Sequence, residues 1–256
     1  RNHNDKELPE TIHQSFYLGE SKNLINYPIH ISINSFFNIH SAVLGNSGSG
    51  KSNTTVSLLK AILDDYSGSR AILVDPHGEY ASAFPDAKVF KINDSSNPLF
   101  IPFWLMNFDE LAYFLVGATP NDDQRPEYRL LKEKITQAKQ NNCNLKSGTV
   151  NPDFITADSP IPFSARKLWH DMNWWLNASF DESNKDKQTK DNACHVSVDG
   201  AHDNGDYQIL QPAKFESHTM GSNAPFKSKH QEFYSYEKKL LSKLKDSRFD
   251  FMFNPA

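Results

Sequence analysis

At 256 residues and 38% hydrophobic, the chain is long enough to bury a sizeable core, as one domain or two. A net charge of -4 supplies no global attraction for nucleic acid, so any such contact has to come from local loops. The densest apolar run, residues 99–108, is broken by Pro102 and Asn107 and is too short to span a bilayer. The polar start carries no apolar stretch of a secretory signal.

Taken in order, residues 1–20 are polar and end in an aromatic patch. Residues 28–34 alternate apolar and polar side chains, the pattern of a half-buried strand. Residues 41–44 form a short apolar strand feeding a glycine-rich loop. Val56, Leu59, Ile62 and Leu63 then recur at helical spacing until Ser67, Gly68 and Ser69 stop the helix. Residues 70–75 (RAILVD) carry a continuous apolar run that ends in Asp75, which predicts a buried parallel strand with its carboxyl end at the ligand edge. Residues 88–92 read as a further strand, and 97–104 as a proline-spaced apolar segment across the core. Helices are expected from Asp109 as N-cap, from Pro126 (Tyr128, Leu131, Ile135 and Ala138 inward) and after Ser164. Leu168, Trp169, Met172, Trp175 and Leu176 give the last of these an apolar stripe. Its tryptophans suit packing better than base stacking. Residues 181–192 are charged and aperiodic, a mobile loop. Residues 195–198 and 207–210 are expected to pair as a hairpin. A final helix over 231–245 turns Phe233, Tyr236, Leu240 and Leu244 inward. Lys238, Lys239, Lys243 and Lys245 form a solvated outer face, and 249–253 read as a returning strand.

The chemistry concentrates between Gly45 and Ser52, which spell G-x-x-x-x-G-K-[ST] between a strand and a helix. Glycines let the backbone turn its N–H groups toward an anion, and the next helix adds its N-terminal dipole. Gly45, Asn46, Ser47, Gly48, Ser49, Gly50, Lys51, Ser52 and Asn53 are therefore the expected nucleotide cradle. Lys51 would reach the β- and γ-phosphates and Ser52 would ligate Mg²⁺. Asp75 closes the next apolar run as an acid that holds the metal, and His77 and Glu79 follow it on a turn at the mouth of the sheet. Asp75-Pro76-His77-Gly78 also fits a GTPase D-x-x-G. However, the nearest N-K-x-D candidate, at 184–187, has Lys187 where the acid belongs, so guanine recognition fails. Cys194, His195 and His202 match no zinc spacing. The widely separated Cys143 and Cys194 suit a reducing, cytoplasmic setting.

The pair formed by Gly45 to Thr54 and Asp75 to Tyr80 resembles the HerA branch of the HerA/FtsK ATPases. Leu18-Gly19-Glu20, His40, Asn97-Pro98, Pro102-Phe103-Trp104 and residues 246–253 are similar to that family as well. The resemblance implies a RecA-like P-loop NTPase core, a homo-hexameric ring that uses ATP and Mg²⁺ to translocate double-stranded DNA, and a nuclease or other effector partner in DNA-end processing or anti-phage defence. It carries Lys51, Asp75 and Glu79 over as catalytic candidates, Ser52 and Asp75 as metal ligands and His77 as a nucleotide contact. The family's later Asp-Glu strand and arginine finger have no match here; Val198-Asp199-Gly200 is a poor substitute. The expectation is a central fragment that hydrolyses nothing alone. The alternative is a non-hydrolysing nucleotide-binding scaffold that recruits an enzyme.

The expected architecture is α/β, a parallel-sheet P-loop core with a largely helical insertion. Residues 1–39 are a lead-in from a β-rich domain, 40–104 the ATPase core, 105–225 the insertion, and 226–256 a helix and strand returning to the core.

Overall fold

The computed structural model describes residues 15–37, 40–92, 94–143, 151–184, 186–198, 200–216, 226–228 and 231–253. The polar lead-in over 1–14, Lys185 in the charged loop and Asp199 lie outside the described residues. The chain mixes helix and strand and divides into two compact units, residues 1–89 and 90–256.

In the first unit, β1 (Ser15–Glu20) and β2 (Pro28–Ser32) pair antiparallel, with the register shifting between Tyr17 and Gly19. The alternating pattern at 28–34 thus yields a strand, which runs into a short helix, α1 (Ile33–Phe37). Phe16 is fully buried and meets Phe36 edge to face at 6.0 Å. The P-loop helix α2 (Lys51–Asp65) packs on this hairpin. The Asp65 carboxylate accepts from the Tyr17 N–H at 3.3 Å, and the Tyr66 hydroxyl donates to the Ser15 carbonyl at 3.3 Å.

The expected parallel sheet is not formed by the described residues: 41–44 and 70–75 carry no strand pairing. Leu44, Ile72 and Val74 are 89%, 96% and 83% exposed. An apolar run is buried as a strand only when neighbours cover its edges and both its faces, and no described segment does so here.

The second unit is built on helices. The capping box that starts α3 (Phe108–Val116) belongs to Asn107, not Asp109: Asn107 Oδ1 accepts from Glu110 N, and Glu110 Oε2 accepts from Asn107 N. Asp109 lies inside the helix and accepts from the Tyr128 hydroxyl at 2.7 Å. α4 (Pro126–Cys143) buries Tyr128, Leu131, Ile135 and Lys139, and α5 (Ala165–Asn177), capped by Ser164, buries Leu168, Trp169, Met172 and Leu176. α6 (Tyr234–Leu244) starts later than the pattern suggested. It contributes Tyr236, Leu240 and Leu244 to the same core, with Phe233 at its N-cap.

Lys139 is buried among these helices, and its ammonium donates to the carbonyls of Ala157 at 2.5 Å and Ser159 at 2.7 Å. Lys243 likewise departs from the expected solvated face. Its Nζ bonds the Phe114 carbonyl and lies 4.4 Å from that residue's ring centroid, and burial lowers its pKa.

Three further expectations change. Residues 249–253 are not a strand: a 3₁₀ turn (Ser247–Phe249) leads into α7 (Asp250–Phe253). Five largely apolar residues fit either period, and the helical turn seats Met252 in the core and Phe253 against Phe103 and Phe114. The strand at 88–92 reduces to one parallel bridge between Lys91 and Pro98. The hairpin at 195–210 is shorter and more local: β4 (Ser197–Val198) pairs with β5 (Ala201–His202), while 207–210 form a turn. A tight local turn closes with less entropy loss than the longer connection foreseen. Next to it, β3 (Ser179–Phe180) pairs with β6 (Phe226–Lys227) over a small cluster of Trp174, Ala178, Phe180 and Ala213. The charged segment 181–192 carries 3₁₀ turns at Glu182–Asn184 and Lys190–Asn192, with Lys190 paired to Asp171.

Candidate nucleotide site

The loop before α2 takes its shape from its glycines. Gly48 and Gly50 have φ of 76° and 90°, left-handed values that cost an L residue about 1–2 kcal/mol. At Gly45 space is the constraint. A Cβ there would collide with Ser49 Oγ and sit 3.3 Å from Ser49 Cβ and 3.4 Å from Lys51 Cγ. Inside the loop the Ser49 N–H donates to the Asn46 carbonyl at 3.2 Å, and Lys51 Nζ folds back to the same carbonyl at 2.8 Å. Gly50 occupies the N-cap of α2 and no side chain caps it, so first-turn N–H groups are left for an anion. Residues 45–49 are exposed and Lys51 and Ser52 are partly buried, while Asn53 in the first turn is exposed.

The acidic turn comes from 27 residues downstream. Ser52 Oγ donates to Glu79 Oε2 at 2.7 Å. Asp75 faces its own turn: Oδ1 accepts from the Gly78 N–H at 2.9 Å and Oδ2 from the Tyr80 N–H at 3.0 Å. The Tyr80 N–H is the main reason the Asp75 carboxyl is held below its ordinary range, with further amides of the turn adding to it. Gly78 makes the bend with φ of 70°, and His77 is exposed at the tip.

Of the residues singled out from the sequence, the fold thus joins Asn46 to Lys51 and Ser52 to Glu79, and turns Asp75 onto the backbone of its own turn. Sequence reasoning placed Asp75 on the metal and missed this backbone engagement, although an Asp opening a Pro/Gly turn is a known signal for it. The Ser52 hydroxyl and Glu79 carboxylate are hard oxygen donors beside a phosphate-type loop, a set that fits Mg²⁺.

Comparison with known proteins supplies the family. The family described as Helicase HerA, central domain, matches residues 16–248. The chain belongs to that family. Within it, a stretch of 69 residues is 33% identical to the DNA double-strand break repair helicase HerA of Pyrococcus furiosus. That stretch makes up 27% of this chain and 12% of the relative, so the chain spans a small part of the helicase it matches. The HerA resemblance drawn from the two motifs therefore holds for most of the chain. Among the described residues, no helix of this HerA-family chain is long and apolar enough to cross a membrane, and no three His, Cys, Asp or Glu side chains gather as a metal cluster.

Proposed function

We propose that this chain is the Mg·ATP-binding segment of a HerA-type motor ATPase. The motor would act in the cytoplasm as a homo-hexamer that translocates double-stranded DNA, with a nuclease-type partner in DNA-end processing or anti-phage defence. The observation that carries the reading is the pairing of Ser52 with Glu79 directly behind a glycine loop whose lysine is tethered to Asn46. In the bound state Lys51 leaves the Asn46 carbonyl for the β- and γ-phosphates, and the loop N–H groups and α2 dipole take the remaining charge. Mg²⁺, when bound, neutralises phosphate charge; Ser52 holds it, with the acidic turn 75–80 alongside. Family membership over residues 16–248 supports the motor assignment.

Calorimetric titration with Mg·ATP tests the reading. The chain should bind, and Lys51→Ala should lose affinity at least tenfold while its melting curve is unchanged. Undiminished affinity in the folded variant would sink the P-loop assignment. In competition, GTP should not be strongly preferred, because Lys187 stands where a guanine-reading acid belongs. A hundredfold preference for GTP, about 2.8 kcal/mol, would replace the ATPase reading with a GTPase switch.

A further inference from the structure

We infer that Glu79 is the carboxylate presented to the cation at Ser52, and that Asp75 is a positioning residue acting through the turn that carries Glu79. This deepens the proposed Mg·ATP reading and rests on it. Three contacts carry the inference. Both Asp75 oxygens are engaged by the backbone N–H groups of Gly78 and Tyr80, at 2.9 and 3.0 Å. Those two amides flank Glu79 in the chain, so the Asp75 carboxylate clamps the backbone on either side of it. Glu79 in turn reaches Ser52 Oγ at 2.7 Å.

The chemistry separates the two acids. The Ser52 hydroxyl and the Glu79 carboxylate meet at 2.7 Å, and these two hard oxygen donors would hold a divalent cation together. Glu79 would therefore be the acid beside a cation held at Ser52, while both Asp75 oxygens are turned to charge-assisted hydrogen bonds within the turn that carries Glu79. The exposed Glu79 side chain, two rotatable bonds beyond its Cβ, needs the fixed backbone to stay there. Asp75 and the left-handed Gly78 supply that fixity.

The test is a double-mutant cycle on the gain in ATP affinity that Mg²⁺ confers, measured by titration with Mg²⁺ and again with EDTA in the full 256-residue chain. Glu79→Gln should cut the gain about tenfold. Asp75→Ala should cut it comparably in the wild-type background and leave it unchanged in the Glu79→Gln background, because it acts through Glu79. Asp75→Asn, which keeps one acceptor oxygen, should fall between and serves if Asp75→Ala does not fold. A further loss on adding the Asp75 substitution to Glu79→Gln would overturn the inference and make Asp75 a direct ligand. So would an unchanged gain in either single variant. Failure of the underlying reading looks different: the wild-type chain would then bind no ATP with or without the metal.

Discussion

The Trp169 indole donates to Glu237 Oε1 at 2.7 Å, tying α5 to α6 through a carboxylate that is 0% exposed. Asn173 Nδ2 donates to the same oxygen at 2.9 Å, and the second oxygen has Lys238 Nζ at 3.3 Å, an ion-pair contact without hydrogen-bond geometry. Removing the acid strands two buried donors. We predict that Glu237→Ala destabilises the chain by roughly 2–4 kcal/mol in urea unfolding and Glu237→Gln by clearly less, since the amide oxygen still accepts. Equal losses in the two variants would show that packing alone, and not the hydrogen bonds, is at stake.

Gly50→Ala should weaken Mg·ATP binding several-fold although nothing lies within 4 Å of the added methyl, because the N-cap of α2 sits at φ of 90°. The strain, about 1–2 kcal/mol, is relieved only by reshaping the loop. Gly68→Ala is the control: its surroundings are equally open and its backbone is not left-handed. Titration of both variants should show the loss at Gly50 alone.

The Asp75 turn should respond to acid in a defined direction. Hydrogen bonding, chiefly from the Tyr80 N–H, lowers the folded pKa below the ordinary 3.8. A depressed carboxyl contributes stability that is complete above the unfolded value and is lost as pH falls through the folded one. The amide resonances of Gly78 and Tyr80 should therefore titrate with a midpoint below 3.8. Asp75→Asn should remove the transition. A midpoint above 3.8 would contradict the contacts described.

Residues 1–256 should bind Mg·ATP and release phosphate at close to the uncatalysed rate, with Glu79→Gln changing little at saturating nucleotide. Glu79 is engaged by the Ser52 hydroxyl at 2.7 Å. An arginine supplied by a neighbour, worth about 10³–10⁵ in rate, has to come from another subunit. Steady-state phosphate release decides: appreciable turnover abolished by Glu79→Gln would make Glu79 the general base. Turnover absent even from an assembled ring would favour the scaffold alternative.

Local patterns were readable from the sequence wherever the physics is local. Helical burial depends on residues three and four apart, so Leu111, Leu131, Ile135, Trp169 and Leu240 were legible as core, and they are buried. The glycine loop was legible for the same reason, because its spacing alone sets where the backbone turns and where Lys51 and Ser52 stand on the first turn of α2. Lys139 was not legible: its burial depends on the carbonyls of Ala157 and Ser159, which only the tertiary fold brings to it.

Tertiary structure also decided between readings that the sequence left degenerate. Residues 249–253 satisfy both periods, and contacts with Phe103 and Phe114 select the helix. Residues 70–75 have a strand's composition, yet pairing needs a partner from elsewhere in the chain, and composition carries no information about partners. The division of labour between the two acids has the same origin. Asp75 and Glu79 were both visible on one turn, but which of them meets Ser52 depends on a 2.7 Å contact across 27 residues, and only the folded chain sets that distance.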